Sequence, residues 1–82
     1  MSGMIMTPEI VRLQIQSLEA LLRVADNNID THLQTLNIFL KAEGVFKEED
    51  IEWVKGLLRE AQKEKERLLE EIEVKKSVLK FL

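Results

Sequence analysis

Cysteine is absent from this 82-residue chain, proline occurs once and glycine three times. Without cysteine, disulfide staples, thiolate catalysis and cysteine-ligated zinc are excluded, and the composition suits a reducing cytoplasm, the expected location. No apolar run approaches the roughly 20 residues that a membrane-crossing helix needs. The opening "MSGMIM" lacks a basic n-region, so neither a signal peptide nor membrane insertion is expected. A dominant charge is missing too: 12 basic and 15 acidic residues leave a net −3, with the signs interleaved along the second half. That disfavours nucleic acid as a partner. The nearest thing to a basic patch is "KKSVLK", where Lys75, Lys76 and Lys80 follow directly on Glu70, Glu71 and Glu73. No glycine-rich phosphate loop exists, since Gly44 and Gly56 stand alone.

What the chain does have is helical periodicity. "MTPEIV" reads as a helix start: Thr7 can cap free N–H groups, Pro8 suits the first helical position and Glu9 complements the helix dipole. Met6 and Val11 are spaced as a hydrophobic staple. From there Val11, Ile15, Leu18, Leu22, Ala25, Ile29, His32, Leu36 and Phe39 alternate at four and three residues, a heptad seam. Leu21, Leu33 and Leu40 widen it beyond a solitary two-stranded contact.

The pattern stops at "KAEGVFKEED". Gly44 can take the left-handed C′ conformation that ends a helix, and Val45 or Phe46 can fold back over the turn. Glu48, Glu49 and Asp50 then bring acid to a second helix start, although Lys47 is a poor N-cap. The second seam runs through Ile51, Val54, Leu58, Ala61, Lys65, Leu68, Ile72, Lys75, Leu79 and Leu82, flanked by Leu57, Leu69 and Val78. The aliphatic stems of Lys65 and Lys75 can cover apolar surface while their amines reach water. Glu52/Lys55, Glu60/Lys63, Glu71/Lys75 and Glu73/Lys76 are spaced as ion pairs worth a few tenths of a kcal/mol each.

Two helices of roughly 33 to 36 residues, each about 50 Å long, joined by a short turn predict an all-α fold. The expected form is an antiparallel two-helix coiled-coil hairpin pairing into a dimeric four-helix bundle. One domain spans residues 1–82, with a helix over about 8–43, a turn over about 44–47 and a helix over about 48–81. Met4, Ile5 and Met6 would then cover Val78, Leu79, Phe81 and Leu82. A three-helix alternative breaks the chain at "DNNID", whose Asp and Asn residues favour caps and turns, but the heptad phase crosses that stretch unchanged.

No catalytic or metal-binding constellation emerges, and no cofactor is expected. His32 shares the seam of Ile29 and Leu36, which favours a structural role, and neither a Glu-x-x-His nor a His-x-x-x-His pair accompanies it. The carboxylates lie outside the apolar ladder, where groups are solvated. Gly56 permits close helix packing or is tolerated where it stands. Trp53 can close the loop-end core or anchor a partner. The reading is a non-enzymatic helical interaction or assembly module, a self-associating adaptor or regulator. Its interface candidates are Leu21, Leu22, Ile29, His32, Leu36, Trp53, Leu58, Leu68, Ile72, Leu79 and Leu82. The partner is a second copy or another helical protein. A small chaperone-like client-binding module and a nucleic-acid-associated regulator using the basic C-terminal end are the alternatives.

Overall fold

A computed structural model describes residues 6–82 as two helices, α1 over Pro8–Lys41 and α2 over Glu48–Lys80, folded back on one another. The start of α1 follows its sequence: Thr7 is extended, its hydroxyl oxygen accepts from the Ile10 N–H at 3.3 Å, and Pro8 opens the first turn. The helix is unbroken through Asp26–Asp30, so the three-helix alternative is overturned. The reason is visible at Asp26, which reaches across to the Lys65 ammonium at 2.7 Å, while Asn27 and Asn28 are exposed on the helix surface. These side chains have partners or solvent without bending the backbone, and the seam on either side holds the helix straight.

The reversal falls at the expected place but is built differently. α1 ends at Lys41, two residues short of the expected limit, and α2 ends at Lys80. Gly44 is left-handed, with φ +76°, yet it is not the residue just after the helix cap. It is the third residue of a turn in which the Val45 N–H donates to the Ala42 carbonyl at 3.1 Å, a place where positive φ favours glycine. Phe46 folds back and stacks on Phe39, ring centroids 3.9 Å apart, whereas Val45 is exposed. At the start of α2 the Lys47 side chain cannot accept a hydrogen bond. Asp50 compensates, its carboxylate accepting from the Lys47 N–H at 3.2 Å.

The core is a single line between the helices. Val11, Ile15 and Ala25 of α1 and Val54, Leu68 and Ile72 of α2 are buried, all of them seam positions, and among the described residues no polar side chain joins them. His32 is half-buried at the edge of the seam, beside half-buried Ile29 and Leu36. Two expectations need correction. Trp53 is 66% exposed and does not close the loop end, where Phe46 stacks on Phe39. Glu71 pairs with Arg67 instead of Lys75, since Arg67 sits between Glu64 and Glu71 and engages both. Of the two roles open to Gly56, it is tolerated where it stands: a methyl group there would meet only the Arg59 guanidinium, at 4.0 Å. The expected cover of the C-terminal apolar end by Met4 and Ile5 lies outside the described residues.

The result is a rod of 62 × 21 × 16 Å with a radius of gyration of 18.5 Å, where a compact chain of this length has about 12 Å. Among the described residues, no helix is long and apolar enough to cross a membrane.

Candidate interaction surface

Two helices in contact along one seam leave each helix with an outer surface, and the outer surface of α1 is unusual. Projected at 3.6 residues per turn, its ionised side chains between Glu9 and Asp30 fall within an arc of about 100°. That arc carries Glu9, Arg12, Glu19, Arg23, Asp26 and Asp30. On the other flank of the seam, an arc of similar width holds Ile10, Leu13, Ser17, Ala20, Leu21 and Val24, and no charge. The same face continues toward the turn with Asn28, Thr31, Thr35 and Ile38. Even its polar groups are partly satisfied internally, since the Thr35 hydroxyl donates to the Thr31 carbonyl at 3.0 Å.

This face is open. Leu13 is 61% exposed, Leu21 52%, Val24 55% and Ile38 60%. Its inner margin is a shallow groove lined by Ile10, Leu13, Gln14, Ser17 and Leu18 of α1 with Glu71 and Lys75 of α2. The Gln14 Oε1 in this groove is buried without a hydrogen-bond donor, an arrangement that costs free energy while it lasts.

α2 presents a different chemistry on the same side. Arg67 donates from Nε to Glu64 at 3.1 Å and also engages Glu71, forming a solvated triad beside Glu70, Val74 and Lys75. The Arg67 hydrogen bond, with its positive charge, holds the Glu64 carboxyl below the usual carboxylate range, and the same contact raises Arg67. Glu52–Lys55 and Glu60–Lys63 pair along the helix at 3.4 and 3.7 Å. On the opposite side of the hairpin, Leu33 and Leu40 extend the arc of Arg12, Glu19 and Asp26, and Leu69 lines a groove with Ile29, Gln62, Lys65 and Glu66.

The residues expected at an interface therefore divide. Leu68 and Ile72 are buried within the chain, while Leu22, Ile29, His32, Leu36, Leu58 and Leu79 are half-buried along the same seam. Leu21, Trp53 and Leu82 are exposed. Leu13, Val24 and Ile38 lie outside the apolar seam and so were not among the expected residues; the confinement of charge to the other flank of α1 is the sequence signal that marks them. Among the described residues, no cluster of three or more His, Asp or Glu side chains is placed to hold a metal ion. No protein-family model, curated protein or solved structure matches the chain.

Proposed function

We propose that the chain is a non-enzymatic protein–protein interaction or assembly module that associates with a second copy of itself, two hairpins bringing four helices together, and acts as an adaptor or regulator in the cytoplasm. The observation that carries this reading is exposed apolar surface set against a thin core. Among the described residues six side chains are buried, while Leu13, Leu21, Val24, Ile38 and Trp53 are largely in water. The accessible surface is 6452 Å², where a folded globular chain of this mass has about 5,100 Å². A standard interface covers about 800 Å² per partner, so one such contact would remove much of the difference. Burial of apolar area is the driving force.

The test is absolute mass in solution, measured by light scattering or sedimentation from about 1 to 100 µM, a range that brackets ordinary self-association. A dimer is expected at the upper end. A cooperatively folded helical monomer throughout would remove the reading, and a tetramer would keep association but change the assembly. The second reading, a chaperone-like module that holds an apolar client, is supported by Leu33 and Leu69, exposed apolar residues on the opposite flank from Leu13 and Leu21. Binding of an apolar dye by the intact dimer, lost on replacing Leu33 and Leu69 by serine, would favour it.

A further inference from the structure

We infer that the contact between copies is the charge-free face of α1, packed against the same face of the second copy in antiparallel sense, with the two-fold axis at Ser17. The inference rests on the self-association proposed above and names its surface.

Charge is the first argument. A partner seated over Leu13 and Leu21 must not bring an ionised group against them, because a buried unpaired charge is costly. α1 itself presents an uncharged strip of matching length, and copies meeting there place all of Glu9, Arg12, Glu19, Arg23, Asp26 and Asp30 outside the contact. α2 offers no such strip, since Glu64, Arg67 and Glu71 occupy the corresponding surface as a solvated triad. The two α1 helices therefore lie at the centre and the α2 helices flank them.

The second argument is the pattern about Ser17. Ile10 and Val24 stand seven residues to either side of it, on the same line of the helix surface. In an antiparallel pair centred at Ser17, Ile10 meets Val24 of the second copy. Leu13 comes over Ala20 and Leu21 over Gln14, large side chains against smaller or flexible ones, with the two serines at the axis. Parallel packing would instead set Leu13 against Leu13 and Leu21 against Leu21, leaving the small residues opposite one another. Centring the pair further along α1 would oppose Ile10 and Leu13 to Asn28, Thr31 and Thr35.

Third, the buried acceptor on Gln14 has no donor among the described residues. In the antiparallel pair, the Ser17 hydroxyl of the second copy lies about 4.5 Å further along the axis, three residues at 1.5 Å each. A turn of the Gln14 amide outward brings the two groups into hydrogen-bonding reach.

The experiment combines mass and cross-linking on the full chain. Leu21→Glu is expected to raise the apparent dissociation constant about 100-fold or more, the scale of burying an unpaired carboxylate, while keeping the helical signal, because Leu21 lies off the seam. Leu33→Glu, on the opposite flank, is expected to remain dimeric. Under mild oxidation a mixture of Ile10→Cys and Val24→Cys chains is expected to form the mixed disulfide, with neither variant linking efficiently to itself. If the unsubstituted chain is monomeric at 100 µM, self-association fails and this surface fails with it. If it is dimeric but Leu21→Glu dimerises equally well, association stands and the surface is wrong. If I10C links to itself and not to V24C, the face stands and the antiparallel arrangement is overturned.

Discussion

α1 and α2 are nearly equal in length, 34 and 33 residues, and each buries three apolar side chains in the common seam. Inside, they are alike. Outside, they are opposites: α1 carries 7 charged residues and α2 carries 18. The charges of α2 are largely arranged for water, with Glu52–Lys55, Glu60–Lys63 and the Glu64–Arg67–Glu71 triad pairing within the helix. α1 concentrates its charges on one flank and turns a hydroxyl on the other back to its own backbone. A helix needs only one apolar stripe to join a hairpin, and a surface helix ordinarily carries polar and charged residues elsewhere. The uncharged outer face of α1 is therefore in excess of what the fold requires, which is why association, not folding, is the place to look for its use.

The largest expected effect tests whether inside and outside are energetically distinct. Leu68 is 1% exposed in the seam, so Leu68→Ala should cost about 2–5 kcal/mol in denaturant-induced unfolding. Val24, on the outer face of α1, is more than half exposed. Val24→Ala should cost under about 1 kcal/mol at high dilution, because little of its surface leaves water within the chain. Its effect should grow with protein concentration as association contributes. Equal, concentration-independent losses for the two variants would break the comparison and make the α1 outer face part of the chain's own core.

Two glycines outside the seam sharpen the same contrast with smaller effects of opposite sign. Gly44 has φ +76° and open space around it, so Gly44→Ala loses nothing by collision but forces alanine into the left-handed region, at a cost of about 1 kcal/mol. Gly56 lies inside α2, where an added methyl group meets only Arg59 at 4.0 Å. Gly56→Ala should therefore stabilise by about 0.4–1 kcal/mol, since alanine restricts the unfolded chain and favours helix. Thermal unfolding of both variants beside the parent measures this. A destabilising Gly56→Ala in the dimer but not in the dilute monomer would place α2 at the contact between copies and count against a contact made by α1 alone.

Periodicity made most of the fold legible, and for a physical reason: a seam of alternating three and four residues can close only against another such seam. Val11, Ile15, Ala25, Val54, Leu68 and Ile72 all lie on it, and all are buried. Periodicity also overruled the turn preference of "DNNID", because the phase either side of Asp26 is continuous. Local chemistry was less decisive where several residues could serve. Gly44 marked the reversal and the fold-back of Val45 or Phe46 was legible, but the choice of Phe46, stacked on Phe39, and the place of Gly44 inside a turn and not directly after the helix cap were not. Trp53 illustrates the limit for surfaces. Its closeness to the turn suggested a loop-end core role or a partner anchor, yet its place on the helix carries it away from the seam and leaves it exposed. The outer face of α1 was readable in the distribution of charge, a pattern defined by what is missing from one flank and so less conspicuous than the ladder of leucines beside it.

The smallest expected effect concerns the charged surface of α2 and separates a solvated ion-pair network from an interface. Glu64 lies on the exposed surface of α2, and its carboxyl is held below its ordinary value of 4.5 chiefly by the hydrogen bond from Arg67. A carboxyl lowered on folding contributes stability that is complete above its unfolded value and is lost as pH falls through the folded one. The Glu64–Arg67 contribution should accordingly be present at neutral pH and be lost on acidification, as pH falls through the lowered folded value of the Glu64 carboxyl. Because the pair is in water, the contribution is small and falls further with added salt. Denaturant midpoints of Glu64→Gln and the parent, followed from pH 6 to 3 at low ionic strength, should differ slightly at pH 6 and converge toward pH 3. In an Arg67→Gln background the Glu64→Gln difference should disappear at every pH, since the donor responsible is gone. A large difference that resists salt and grows with protein concentration would mean that the triad is buried between copies. α2 would then share the contact, and the division of labour between a helix that faces water and a helix that faces its own copy would have to be given up.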